Sequence, residues 1–284
     1  VQQQITILAP GLLGASVALA ARDREQTKRI HIWARRPETR LSLKNEPWCD
    51  AVFSTPEEAC HDSDLIVICS PVETIVPIVE RIAPALKASA IVTDVGSVKS
   101  EICRFSHDLM PAKTFFVGSH PMAGSEKSGH AHARADLFDG RTCFVTPIEE
   151  ITDGEATEKV VAFWMGLGAE VATVNPEKHD EIVAHISHLP HVLASLLCSH
   201  LHLQDPQWSH FAGGGLRDTT RIAGGSPTLW REILKQNRNE VLRSVRQFQD
   251  ELEAFHAALA NEDFFAVANF LERGKEYQNR LRPR

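Results

Sequence analysis

No apolar run in the 284 residues approaches the roughly 20 needed to span a bilayer. The first four residues, Val1 to Gln4, carry no basic group, and the first apolar run ends by Leu8, so no secretory leader is expected. Basic runs are also missing: 30 Lys and Arg face 37 Asp and Glu, a formal charge of −7. A mildly acidic chain of this kind suits neither nucleic acid nor an anionic membrane surface. None of the six cysteines forms a C-x-x-C pair. Scattered thiols in a chain this long read as reduced cysteines of a cytoplasmic protein, not as a disulfide frame. Internal repeats and low-complexity tracts are absent. What is present is an ordinary globular balance, 43% hydrophobic and 24% charged, long enough for two medium domains.

The first half alternates short apolar runs with amphipathic stretches. Residues 5–9, 29–34, 65–69, 90–94 and 115–118 read as strands, several apolar almost throughout, as parallel strands covered on both faces should be. Between them, 12–22, 37–45, 73–86 and 98–110 read as helices. This alternation predicts right-handed βαβ crossovers and an α/β Rossmann-type doubly wound parallel sheet. Residues 142–146 and 170–174, flanking a helix over 155–167, read as an extension of the same sheet. After Asn175 and Pro176 no strand is evident. Residues 177–203 have a helical period interrupted at Pro190, which cannot donate to the carbonyl of Ile186 and should kink the helix. From Ser226, an N-cap followed by Pro227, apolar residues from Trp230 to Leu259 recur mostly at steps of three and four. That pattern predicts one long helix with a buried stripe. Asn261 to Asp263 open another. The division is a dinucleotide-binding domain over 1–175 and an all-helical domain over 176–284. The stripe is more than one covering helix can bury, so a homodimer through the C-terminal helices is expected.

The first strand runs into Ala9-Pro10-Gly11-Leu12-Leu13-Gly14. A dinucleotide turn has the form G-x-G-x-x-G between strand and helix. Ala9 replaces the first glycine, which weakens the motif. Gly11 would let the backbone approach a pyrophosphate, Gly14 would let the helix pack on the sheet, and the helix N-terminus supplies free amides. An NAD site usually ends its second strand in Asp or Glu for the ribose hydroxyls. Here Ala34 is followed by Arg35 and Arg36, two guanidinium groups that suit a 2′-phosphate. NADP is therefore the preferred cofactor, with NAD as the alternative. Ser70 and Pro71 end one strand and Gly96 and Ser97 another, at the carboxyl edge where ligands of such sheets sit.

A histidine, His120, ends the next strand in Gly118-Ser119-His120-Pro121-Met122-Ala123-Gly124. A neutral imidazole there could take a hydroxyl proton while hydride leaves the same carbon. Four separated segments resemble the prephenate/arogenate dehydrogenase family of tyrosine biosynthesis. They are Asp94-Val95-Gly96-Ser97-Val98-Lys99, the His120 segment, His188-Leu189-Pro190-His191, and Gly215-Leu216-Arg217-Asp218-Thr219-Thr220-Arg221. The resemblance runs over nearly the whole chain and departs at Ala9.

That resemblance implies oxidative decarboxylation of a cyclohexadienol. His120 would accept the hydroxyl proton, Ser97 would orient His120 and the hydroxyl, and Arg221 would grip a substrate carboxylate. His191 would line the substrate side-chain pocket, Trp230 would lie near the site, and His188 would support either the cofactor or the kink. Glu126 and Asp218 could each attract the ammonium of arogenate or serve as surface residues. His191 favours the keto acid, so prephenate is the expected substrate and arogenate the alternative. His185, His188 and His191 are spaced by three, but Pro190 disturbs their shared face and the family uses no metal, so none is expected. No fused mutase or regulatory domain is expected within these residues. Two other functions share the architecture: dehydrogenation of another hydroxy acid, and cofactor sensing without turnover.

Overall fold

The computed structural model describes residues 2–124 and 129–281. Its larger sheet has six parallel strands: β1 (Gln2–Leu8), β2 (Thr27–Trp33), β3 (Ala51–Phe53), β4 (Leu65–Ile68), β5 (Ile91–Asp94) and β6 (Phe115–Phe116). The spatial order is β3-β2-β1-β4-β5-β6. Strands β4 and β5 are buried along their whole length, because crossover helices cover both faces. Those helices are α1 (Leu12–Asp23), α2 (Pro37–Leu43), α3 (Pro56–Cys60), α4 (Val72–Ile82) and α5 (Ser100–Leu109). The strand order reverses between β1 and β4, so the loops after these strands diverge and open a crevice at their carboxyl ends.

The remaining strands do not extend this sheet, contrary to the sequence expectation. Strands β7 (Gly118–Pro121), β8 (Thr142–Thr146) and β9 (Glu170–Thr173) form a second sheet, with β7 antiparallel to β8 and β8 parallel to β9. The cause lies at the end of β5. The Val117 amide still reaches the Val92 carbonyl at 2.9 Å, but the Ser119 amide donates to Asp94 Oδ1 at 3.1 Å. A side chain thus replaces the backbone as the partner, the ladder to β5 stops, and β7 pairs on its other edge with β8. Helix α6 (Gly154–Gly166) covers this sheet. Its Trp164 Nε1 donates to Ser119 Oγ at 2.9 Å.

The C-terminal part is helical: α7 (Pro176–Val183), α8 (Leu189–His202), α9 (Gly214–Thr220), α10 (Pro227–Gln236), α11 (Arg238–Ala260) and α12 (Phe264–Arg280). Helices α7 and α8 join through a wide π turn, Ala184–His188, into one helical span. That turn absorbs the backbone donor missing at Pro190. By length and composition the span Pro176–His202 would suffice to cross a membrane, although no bilayer-length run was expected. Its His179, Asp180 and His188 are instead buried in hydrogen bonds to other elements.

The single long helix expected after Ser226 is broken at Asn237, between α10 and α11. Asn237 is buried, and its Nδ2 donates to the Asp180 carbonyl at 2.9 Å while lying 3.1 Å from His188 Nδ1. The expected stripe is only partly covered. Ile233 and Val241 are buried, whereas Phe248, Leu252 and Leu259 are 38%, 56% and 50% exposed. Ser226 caps its helix as expected; α12 is capped by Asp263, while Asn261, expected to open that helix, ends α11.

Candidate active site

The site is built on a buried ion pair. Lys99 and Asp94 both have no side-chain exposure. Lys99 Nζ donates to Asp94 Oδ2 and, at 3.0 Å, to the Ser119 carbonyl. Asp94 also accepts from the Gly96 amide at 2.8 Å, and Ser119 Oγ donates to the Asp94 carbonyl at 2.6 Å. The end of β5 is therefore locked to the residue preceding His120.

His120 itself is buried on β7. Burial, reinforced by His179, Lys99 and His188 nearby, holds its pKa well below the usual imidazole value, so the ring is neutral. Its Nδ1 lies 2.9 Å from His179 Nε2. His179 Nδ1 in turn lies 2.8 Å from Asp180 Oδ1. Among the described residues no hydrogen bond joins Ser97 to the His120 ring; the ring's protein partner is His179. Ser97 is half-buried in the loop after β5.

The other expected substrate residues fall into two groups. His191 and Trp230 stack with ring centroids 3.5 Å apart and planes 10° from parallel. His188 meets Trp230 edge-on at 6.0 Å and touches Asn237. Burial lowers the His188 pKa to about 4. His188 lies inside the π turn, two residues before Pro190. Arg221 and Asp218 are exposed at the end of α9 and just after it. Among the described residues no hydrogen bond or ion pair joins Arg221 to His120. Glu126 lies outside the described residues. Among those that are described, no group of three or more His, Cys, Asp or Glu is placed to hold a metal ion. The three spaced histidines diverge: His185 is exposed, His188 bonds to Asn237, and His191 stacks on Trp230.

Some of the expected cofactor residues surround a cavity of about 710 Å³ at the crevice. Ala9, Gly11, Arg35, Arg36, Ser70 and Pro71 line it. The residues fit a dinucleotide. Helix α1 begins at Gly11 without a side-chain cap, leaving its first amides available, and a Cβ on Gly11 would meet no protein atom within 4 Å. Ser70 Oγ is buried without a partner in the cavity wall. Gly14 plays the packing role: a Cβ there would lie 3.0 Å from Cys69 Cβ and Ile7 Cγ2. Leu13 packs on the core. Gly96 does not line the cavity, since its amide serves Asp94. Ala9 has φ of 61°, the left-handed conformation for which the motif uses glycine. The fold of the turn survives the replacement. A second cavity, about 610 Å³, is lined by Leu12 of α1 and by Met122, Ala123 and Gly124, which directly follow the His120 strand. The cofactor turn and the segment after His120 therefore share a wall.

Sequence reasoning missed His179, Asp180, Lys99 and Asn237 as parts of the site. Only the Asn175-Pro176 helix start hinted that His179 sits at a fixed place in a first helical turn.

A doubly wound sheet with a dinucleotide crevice, and a buried neutral histidine at the carboxyl edge, define a nicotinamide-linked oxidoreductase carrying a helical appendage. Residues 17–173 match the family "Prephenate dehydrogenase, nucleotide-binding domain", and residues 175–273 match "Prephenate dehydrogenase, dimerization domain". The chain is 33% identical to the prephenate dehydrogenase of Bacillus subtilis over 290 residues, covering 99% of this chain and 77% of that protein. Among solved structures, it resembles Aquifex aeolicus prephenate dehydrogenase in complex with hydroxyphenyl propionate and NAD+, with a TM-score of 0.92 and 28% identity. That match covers 99% of this chain and 98% of the other. It also resembles Synechocystis arogenate dehydrogenase, with a TM-score of 0.85 and 26% identity over 98% and 99% of the two chains. The chain belongs to the prephenate dehydrogenase family.

Proposed function

We propose that the chain oxidises and decarboxylates prephenate to 4-hydroxyphenylpyruvate with His120 as the base. A nicotinamide cofactor held at the Gly11 turn and the Arg35–Arg36 strand end would supply the hydride acceptor for the ring carbon that bears the hydroxyl. His120 Nε2 accepts the hydroxyl proton as that carbon becomes carbonyl-like. The bond to the ring carboxylate then breaks, its electron pair enters the ring, carbon dioxide leaves, and the oxygen regains a proton as the phenol forms. Ser97, at the adjacent strand end, orients the hydroxyl. His191, held flat against Trp230, walls the side-chain pocket, and Arg221 binds a substrate carboxylate through its planar fork. One observation carries this reading: His120 is buried and neutral, with Nδ1 engaged by protein and Nε2 left for substrate. Replacing His120 by Asn should lower kcat by about 10²- to 10⁴-fold, the usual worth of a general base, with cofactor affinity unchanged. Retained turnover in that variant would remove the base assignment.

NADP is the preferred cofactor in this reading, because Arg35 and Arg36 line the cavity at the end of β2 and no carboxylate ends that strand. NAD+ is the cofactor named with the Aquifex relative, so a ratio of kcat/KM values for the two cofactors is the test. Arogenate is the alternative substrate, supported by the likeness to the Synechocystis protein. The working unit is a homodimer, supported by the dimerisation-domain match and by the apolar side chains exposed along α11 and α12. Sedimentation as a monomer at micromolar concentration would exclude it. Six free cysteines suit a reducing, cytoplasmic compartment.

A further inference from the structure

We infer that His179, anchored by Asp180, is a positioning residue that fixes which nitrogen of His120 receives the substrate proton. This rests on the reading of His120 as the base.

The direction of the hydrogen bonds follows from Asp180 outward. Its carboxylate accepts from the Lys99 amide at 2.8 Å, from the Ser100 amide at 2.8 Å and from His179 Nδ1 at 2.8 Å. Burial by itself would raise the Asp180 pKa, but the bonds from His179 and Ser100 outweigh it and hold the carboxyl below its ordinary range. An ionised carboxylate only accepts, so Nδ1 of His179 carries the proton. Burial lowers the His179 pKa, against the pull of Asp180, so its Nε2 is bare. Nε2 can then only accept, and the 2.9 Å contact requires that Nδ1 of His120 donate. Neutral His120 is left with its lone pair on Nε2, the nitrogen that faces away from His179.

The same chain serves the charged state. Once Nε2 of His120 takes a proton, Nδ1–H still donates to His179, and Asp180 lies one imidazole further on. The logic is that of an Asp–His pair in a hydrolase triad, with one more ring between carboxylate and base. His179 is suited to this and to little else. It has no exposure, and its ring meets His120 at 5.1 Å and, edge-on, Phe144 at 5.2 Å. Helix α7 therefore sets the protonation geometry of a residue on β7, 59 positions away in the chain. A site needing only packing there would be filled better by an apolar side chain, with no buried carboxylate to satisfy.

The test uses the whole chain with His179→Leu and His179→Gln. Leucine fills the volume and accepts nothing; glutamine keeps an acceptor near the Nε2 position. Leucine should lower kcat for prephenate about 10- to 100-fold while KM stays within about threefold, and glutamine should recover much of the loss. The second readout is the ¹⁵N spectrum of ring-labelled histidine, with the His120 signals assigned by their loss in His120→Asn. The parent should show His120 protonated at Nδ1 and bare at Nε2. Leucine should shift it toward the other tautomer. If leucine keeps kcat within about threefold, or if parental His120 is protonated at Nε2, the inference fails. Should the leucine variant not fold, the parental tautomer alone decides. An inactive His120→Asn beside an unaffected His179→Leu would refute only the role of His179. An active His120→Asn would refute the base assignment beneath it.

Discussion

Replacing Lys99 by Met should unfold this protein more readily than almost any other change of one charged residue. Methionine matches the length of the lysine stem and removes only the charge and the donors. Asp94 then keeps the Gly96 and Ser119 amides at 2.8 and 3.1 Å but loses its counter-ion, with no solvent exposure to compensate. Breaking a buried pair in this way costs about 3–5 kcal/mol, because a charge is left unpaired. Against a total stability on the order of 5–15 kcal/mol, that is a large fraction. The Ser119 carbonyl also loses its 3.0 Å donor from Lys99, so the strand end carrying His120 loosens and kcat falls with stability. Urea unfolding at one fixed protomer concentration measures the effect, since a dimer's stability depends on concentration. Adding Asp94→Asn removes the orphaned charge, so the double variant should lose about 1–3 kcal/mol less than the two single losses combined. A Lys99→Met protein within about 1 kcal/mol of the parent would refute the claim that this pair anchors the site.

Ala9→Gly should raise stability by about 1 kcal/mol, because an L side chain at φ 61° is strained and glycine is not. Thermal unfolding with and without cofactor checks this, and a lower Tm would contradict it. Stability should also fall with acid from about pH 6.5 downward. His188 titrates at about 4 when folded and at 6.5 when unfolded, so over that interval the unfolded chain binds more protons. Its contribution is full above pH 6.5 and fades as pH falls toward 4. The shift corresponds to about 3 kcal/mol. His120 and His179 shift in the same direction and steepen the slope. Urea midpoints from pH 7.5 to pH 5 measure it, and a flat profile would show that these rings protonate inside the folded protein.

The doubly wound half was legible because its strands are short apolar runs buried on both faces, and β4 and β5 leave no other reading. The second sheet was not, because what ends the β5 ladder is one side chain, Asp94, bonding across 25 residues to Ser119. His120 could be found from its place at a strand end. His179 could not, since nothing in a helix start at Asn175 announces a bond to a residue 59 positions earlier. The long C-terminal helix was overextended for a similar reason. Asn237 falls in the widest gap of the apolar stripe, between Ile233 and Val241; its amide is spent on Asp180, and the helix breaks there. The stripe beyond it is open in the single chain, consistent with a dimerisation domain.

The most direct measurement is reduction of NADP and of NAD by the purified protein with prephenate and with arogenate, four combinations in one experiment. The expected result is turnover with prephenate, and a higher kcat/KM with NADP than with NAD. Equal or better use of NAD would remove the role given to Arg35 and Arg36. No turnover in any combination, from folded protein that still binds the cofactor, would contradict the proposed reaction itself.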